Sequence, residues 1–452
     1  MVQGTSSWAG KSLLVTALAR LAARAGIAVA PFKAQNMSNN ARVVDGGEIG
    51  VAQYLQARAA GVEPDVRMNP VLVKPEGDSR SQVVVLGQAD LELSRRAWRE
   101  RPTSLWPVIE RSLRELAADY ELLIIEGAGS PAEINLTSTD LANMRVARLA
   151  SARVALVTDI ERGGAFAHLY GTWALLEPED RARLCGFVLN KFRGDPALLD
   201  PGPSLLRERT GVPVVGVVPR IEHGLPDEDG AATAARTGGR PAVAIVRYPM
   251  ASNLDEFKAL EQVADVLWAR EPAQLEGASL VVLPGSKHVT ADLAWLRSRG
   301  FADALSGQPR VLGLCGGLQM LGERIEDPDR VEGGDALGLG LLALGTTFAA
   351  DKAARETTAS FAALDEPWRA LSGLEVSGYE IRHGATAGAA VLGDGLGFAE
   401  GPVLGVYLHG LFEDPRFVAA LLGAAPERSL DEELDRLADA VAPHLDAELL
   451  LG

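Results

Sequence analysis

The side chains best suited to chemistry lie first in Pro309-Arg-Val-Leu-Gly-Leu-Cys-Gly-Gly-Leu-Gln-Met-Leu-Gly322. Val311 to Leu314 is an apolar run that reads as a buried strand. Cys315 follows at once, and Leu318, Met320 and Leu321 recur at helical spacing. Strand, sharp turn and helix put the thiol at an apex, where glycines on both sides let the backbone bend and a substrate approach. A helix N-terminus behind the sulfur favours the thiolate, the form that attacks carbonyl carbon. A lone cysteine is more often core filler, and Cys185, inside the strand-like run 184–191, is read that way. The Gly-Leu-Cys-Gly-Gly setting marks Cys315 as a nucleophile.

A nucleophilic thiol needs a proton carrier. The run Pro402 to Leu408 reads as a strand delivering His409, with Gly410 leaving the ring uncrowded, and histidine is the natural base near neutral pH. His383, in Gly378-Tyr-Glu-Ile-Arg-His-Gly384, is the fallback, although that segment better suits the shaping of a substrate pocket. The run Ser279 to Leu283 ends in Pro284-Gly285-Ser286-Lys287. Backbone N–H groups of Gly285 and Ser286, with that of Gly316, could cradle an oxyanion.

The chain opens on a second kind of chemistry. Gly4-Thr5-Ser-Ser-Trp-Ala-Gly10-Lys11-Ser12 is a phosphate loop with one residue more than the usual spacing. Its N–H groups wrap phosphate oxygens, Lys11 reaches the terminal phosphates, and Ser12 binds Mg²⁺. Only Met1-Val2 precede it where a full strand is normal, and Leu13 to Ala25 reads as the following helix. Leu122-Leu-Ile-Ile-Glu126-Gly places a carboxylate at a strand end, where an acid holding the metal belongs; Glu48 is a weaker second candidate. Lys33, Gln35, Asn36 and Asn39, after the strand-like Ile27 to Phe32, suit ligand binding at a strand's C-terminal end. Lys74, ending Val71-Leu-Val-Lys, joins them as a substrate contact. Glu48 and Gln53 are expected on the next helix. Asn190 and Lys191, at the tip of another strand, are expected to help bind ATP, where a nucleotide base could be read.

These residues need rigid supports, and the chain supplies them. Strands alternate with helices and polar residues gather at strand ends, which predicts parallel doubly wound sheets. Residues 222–241, rich in Gly and Pro and without apolar period, read as a linker between a unit over 1–221 and another over 242–452. Leu430, Leu434 and Leu437 predict a terminal helix with one packed face. At 452 residues and 47% hydrophobic content, the chain can build two cores. A net charge of −16 argues against a nucleic-acid or anionic-membrane surface. Two cysteines outside any CxxC pair, no signal-like h-region and no run of ~18 apolar residues predict a cytoplasmic protein.

The second half resembles class I glutamine amidotransferase domains, with Cys315 and His409 matching their Cys elbow and distant His. The first half resembles the dethiobiotin-synthetase-like ATP-binding domain, including the longer loop; the motif match assigns Glu48 and Glu126 as metal acids. The union resembles the cobyric acid synthase family almost end to end. Its most specific marks are Gln3-Gly-Thr-Ser-Ser, Phe32-Lys-Ala-Gln-Asn-Met-Ser-Asn-Asn40, Asn190-Lys-Phe-Arg-Gly-Asp195 and Leu283-Pro-Gly-Ser-Lys287. That resemblance implies a two-domain α/β enzyme, a phosphate-loop NTPase-type sheet followed by a flavodoxin-like amidotransferase sheet. It implies ATP, Mg²⁺ and glutamine, and a corrin amidated on its b, d, e and g carboxylates. The wider amidotransferase pattern has an acid two residues after the His, but Leu411 stands there. A Cys–His dyad is therefore expected, with Glu413 undecided. The rival readings are an a,c-diamide synthase or another carboxylate amidotransferase of the same architecture, and an ATP-dependent partitioning protein. The last leaves the Cys elbow idle.

Overall fold

The computed structural model describes residues 1–76, 80–226, 239–393 and 395–451. In the first half, Val2–Gly4, Val154–Asp159, Leu184–Phe192 and Val214–Pro219 pair in parallel in that spatial order. Val29–Phe32 and Leu122–Ile125 form a second parallel pair, joined to the first sheet by the bridge Val2↔Glu126. Val154–Asp159 is buried at every position, as expected of a central strand covered on both faces. The strand before the phosphate loop is short, yet Val2–Gly4 pairs in register with Ala155–Val157, so Gly4 still ends at the sheet's C-terminal edge.

An antiparallel hairpin, Ala41–Val44 with Gly47–Gly50, leaves this core and leads into the helix Val51–Ala60. Glu48 therefore lies on a strand, not on the helix expected for it; Gln53 is on the helix. Alongside runs a small mixed sheet of Gln35–Met37, Val71–Pro75, Ser81–Val85 and Gln88–Asp90.

The second half orders Asp265–Ala269, Ala242–Val246, Leu280–Leu283, Val311–Leu314, Val403–Val406 and Gly397–Glu400 in one sheet. All pairs are parallel except the last. Both halves are thus parallel α/β sheets, as the sequence predicts. A long antiparallel pair, Gly345–Ser360 with Glu375–Ala387, flanks the second sheet and meets the hairpin of the first half.

The terminal helix Leu430–Val441 does not complete the second core. Leu434, Leu437 and Val441 pack on Leu14, Val15 and Leu18 of the helix Lys11–Arg24. Arg20 and Arg24 pair with Asp435 and Asp439, at 2.8 and 2.6 Å. The chain thus returns to the first half after passing through the second. Residues 227–238 of the expected linker lie outside the described residues. Among the described residues, no helix is long and apolar enough to cross a membrane.

Candidate active site

Val311–Leu314 is wholly buried and the helix Gly316–Leu321 starts directly behind it, so Cys315 must take the whole bend. It does so at φ 48° and ψ −104°, a conformation that costs a side-chain-bearing residue energy and that holds the nucleophile outward at an elbow. Cys315 is buried, and its Sγ faces the Ile381 carbonyl at 3.6 Å. A Cβ added to Gly316 would stand 2.8 Å from the Ser286 nitrogen, so only glycine allows these two N–H groups to lie side by side. Gly285–Ser286 pairs with Ala251–Ser252, and Ser286 Oγ donates to Asp292 Oδ2 at 2.6 Å, which fixes the strand tip. The Gly285–Ser286 tip therefore lies against Gly316, the residue that follows Cys315.

His409 lies one step past the strand region expected to deliver it and is buried, with its Nδ1 2.8 Å from Glu256 Oε1. The other ring nitrogen is thereby left for Cys315, with which the ring interacts. Burial alone would lower the His409 pKa. The Glu256 carboxylate first, and Cys315 with it, overcome that and raise it to about 10. Glu256 Oε2 also accepts the Gly410 N–H at 3.0 Å, so both carboxylate oxygens are committed. The arrangement sets the imidazole against the Cys315 sulfur, with a third group orienting the ring. A third residue, Glu256, thus joins the expected pair in space. Glu256 comes from Leu254–Gln262, far upstream of the position that Leu411 occupies. Glu413 is not that acid, since it pairs with Arg42. His383 lies on the strand Glu375–Ala387 and is not the residue that meets Glu256.

At the other site, Gly10 has φ 92°, and a Cβ there would fall 2.0 Å from Asn190 Nδ2. Lys11 opens the helix Lys11–Arg24 and donates to the carbonyls of Ser6 and Gly129, at 3.1 and 3.3 Å, across the loop's mouth. Ser12 Oγ donates to Glu126 Oε1 at 2.8 Å. Lys33 donates to the same oxygen at 2.8 Å and Gln56 to Glu126 Oε2 at 2.6 Å. Asn190 holds the Ala9 carbonyl at 2.8 Å; Lys191 holds that of Trp8 at 2.8 Å and Asp159 Oδ2 at 3.0 Å. A cavity of about 390 Å³ opens here, and Gly10, Lys11, Ser12, Lys33, Asn36, Glu126, Asn190 and Lys191 all line it. Thr5 is not in its wall; its hydroxyl instead donates to Thr158 Oγ1 at 3.0 Å.

Other expected site residues also lie elsewhere. Glu48 is buried between Lys74 and Lys352, the latter at 2.5 Å and contributed by the second half. It does not line the cavity with Ser12 and Glu126, because the hairpin carries it to the seam between the halves. Lys74 is committed to Glu48, and burial pushes its pKa well below the usual lysine range. Gln35 and Asn39 are also outside the cavity wall, while Asn36 bonds Gln53 at 3.0 Å. Gln56 was not singled out from sequence; its signal was its place one helical turn after Gln53. Glu256 had none beyond the absence of an acid after His409.

The hydroxyl of Ser12 and the carboxylate of Glu126 are hard oxygen donors already within hydrogen-bond reach, a set that fits a magnesium ion beside phosphates. The nucleophile and the phosphate loop thus share one chain.

Residues 1–225 match the CobQ/CobB/MinD/ParA nucleotide binding domain, and residues 242–417 match the CobB/CobQ-like glutamine amidotransferase domain. The chain is 52% identical over 493 residues to a cobyric acid synthase of Polaromonas sp., covering 100% of this chain and 97% of that one. It is 54% identical over 472 residues to the cobyric acid synthase of Variovorax paradoxus, at 100% and 98% coverage. It is 55% identical over 477 residues to that of Paracidovorax citrulli, at 99% and 96%. Among solved structures, a glutamine amidotransferase is similar over 40% of this chain and 98% of its own, with 19% identity and a TM-score of 0.31.

Proposed function

The chain belongs to the cobyric acid synthase family, and from that premise we propose that it amidates the b, d, e and g carboxylates of a cobyrinic acid a,c-diamide to give cobyric acid. Glutamine- and ATP-dependent amidation in cobalamin biosynthesis is the activity of the family. The observation that carries the finer reading is the meeting of Cys315, His409 and Glu256 in a chain that also holds Ser12 against Glu126.

A carboxylate resists amines because it is anionic and lacks a leaving group. Transfer of the terminal phosphoryl group of ATP to a carboxylate oxygen supplies that leaving group as an acyl phosphate. Lys11 meets the charge on the transferring group, the loop N–H groups cradle the phosphates, and Lys33 lies beside Glu126 on the same wall. Ser12 and Glu126 would hold Mg²⁺, which when bound supplies charge neutralisation at the phosphates.

At the other site the Cys315 thiolate attacks the side-chain amide carbon of glutamine, forming the S–C bond. The oxyanion is met by the N–H groups of Gly285, Ser286 and Gly316. His409 gives its proton to the departing nitrogen, and ammonia leaves as the tetrahedral centre collapses to a thioester. The now neutral His409 takes a proton from water, which attacks the thioester and releases glutamate. Ammonia then displaces phosphate from the acyl phosphate, leaving the amide.

Incubation of the full chain with ATP, Mg²⁺, glutamine and cobyrinic acid a,c-diamide tests the reading. Successive mono- to tetra-amidated products are expected by mass spectrometry, each step coupled to ADP and glutamate. Turnover of cobyrinic acid instead, with none of the a,c-diamide, would support the a,c-diamide synthase reading. ATP hydrolysis without glutamate release would support the partitioning one.

A further inference from the structure

We infer that Arg42, a residue of the first half, is a positioning residue for the Cys315–His409 pair of the second. This rests on the glutaminase reading of that pair and adds the residue that holds its parts in register.

Arg42 lies on the strand Ala41–Val44, with 3% of its surface exposed. Its Nη2 donates to Asp255 Oδ2 at 2.6 Å and also pairs with Glu413. Asp255 immediately precedes Glu256, and Glu413 closes the turn Leu411–Glu413 that follows His409. One guanidinium therefore grips both chain segments whose side chains must meet. A planar guanidinium fixes its carboxylates in direction as well as in distance, which a lysine does not.

Its neighbours pull the same way. Asn40 Oδ1 accepts the Leu254 N–H at 3.1 Å, and the Ala41 N–H donates to Asn253 Oδ1 at 3.4 Å. The Tyr379 hydroxyl donates to the Ala41 carbonyl at 3.3 Å. The Tyr379 ring stacks on His409, with centroids 5.3 Å apart and planes 25° from parallel, while the Arg42 guanidinium carbon stands 5.4 Å from the same ring. Three consecutive residues of the first half thus hold residues 253–255 and the ring on which His409 rests. Burial already pushes Asp255 above the ordinary carboxylate range, against the pull of Arg42. Without the guanidinium, Asp255 must take up a proton or swing towards water, and Glu256 is the next residue along.

The gripping residues also continue the wall of the phosphate cavity. Asn36 and Met37 line it, and the chain passes from the strand Gln35–Met37 into Asn40–Arg42 within a few residues.

The test uses full-length Arg42→Gln, Arg42→Lys and Glu413→Gln proteins, with glutamine and ammonium salts as alternative nitrogen donors. Arg42→Gln is expected to lower the glutaminase kcat by roughly ten- to a hundredfold, with the glutamine KM and the ammonium-driven amidation rate each within about twofold of wild type. Arg42→Lys should recover only part of that kcat. Glu413→Gln keeps the Arg42–Asp255 bond and should lower kcat by about threefold. An unchanged glutaminase kcat in Arg42→Gln, or an equal loss with both nitrogen donors, overturns the proposal. If Arg42→Gln fails to fold, Arg42→Lys and Glu413→Gln decide it by the same comparison. Continued glutamine hydrolysis by Cys315→Ala would instead bring down the glutaminase reading, an outcome separate from any result at Arg42.

Discussion

Glu256 Oε1 stands 2.8 Å from His409 Nδ1 although 153 residues separate the two in sequence. Because Glu256 Oε2 is tied to the Gly410 N–H, the carboxylate can neither rotate nor withdraw without breaking a bond. Its charge, with the Cys315 sulfur beside the ring, raises His409 from 6.5 to about 10 against the effect of burial. The sign follows directly: the imidazolium persists below that value and is lost as pH rises through it. Its contribution to folding stability is likewise full below 6.5 and disappears through about 10. Glu256→Gln keeps an acceptor for the ring but removes the charge. The alkaline limb of glutaminase kcat/KM should move from near pH 10 towards neutrality, and kcat should fall on the order of a hundredfold. A pH profile superimposable on wild type would remove Glu256 from the mechanism.

Cys315→Ala separates the two chemistries. The sulfur touches the Ile381 carbonyl and the His409 ring but is not among the residues lining the phosphate cavity. Glutamine-dependent amidation should vanish, while amidation driven by ammonium salts should stay within about twofold of wild type. Loss of both rates would give the thiol a second duty that the triad does not explain.

What could be read in advance was what the backbone itself demands. The elbow and the phosphate loop need glycines at fixed offsets from Cys315 and Lys11, so Gly316 and Gly10 advertise them locally. Glu126 was legible because an apolar strand runs straight into it. Glu256 was not, since it arrives from a distant short helix, and with Leu411 standing where an acid was expected the sequence pointed to a Cys315–His409 dyad alone. Glu48 was misplaced for a different reason. Asp45-Gly46 between Val43-Val44 and Ile49 is a hairpin signal, and following it would have put Glu48 on a strand leaving the sheet. The stripe of Leu434 and Leu437 announced a buried helix face, but a stripe does not name its partner, and the partner is in the first half.

Lys11→Ala should abolish amidation with either nitrogen donor. Lys11 donates to the carbonyls of Ser6 and Gly129, a tie between loop and sheet, and in the proposed reaction it is also the cation that meets the phosphates. A drop of at least about a hundredfold in both rates is expected, with glutamine hydrolysis by Cys315 retained at least in part. The retained hydrolysis shows that the protein is folded. Full amidation by this variant would discard the phosphate-loop assignment.

Glu48 offers the last separation, between a metal ligand and a structural charge. Its carboxylate is buried between Lys74 and Lys352, and these lysines hold its pKa well below the usual range although burial alone would raise it. A depressed carboxylate stabilises the fold above its unfolded value near 4.5, and that contribution is lost as pH falls through the folded value. Glu48→Gln leaves Lys74 buried beside Lys352 without their shared carboxylate, and should lower stability at neutral pH, by less the more readily Lys74 sheds its proton. The variant should also show a flatter loss of stability on acidification, measured by denaturant unfolding across the acid range. Its dependence on Mg²⁺ concentration should match wild type, because Glu48 is outside the cavity that Ser12 and Glu126 share. A raised magnesium requirement with unaltered stability would return Glu48 to the metal and undo its assignment to the seam.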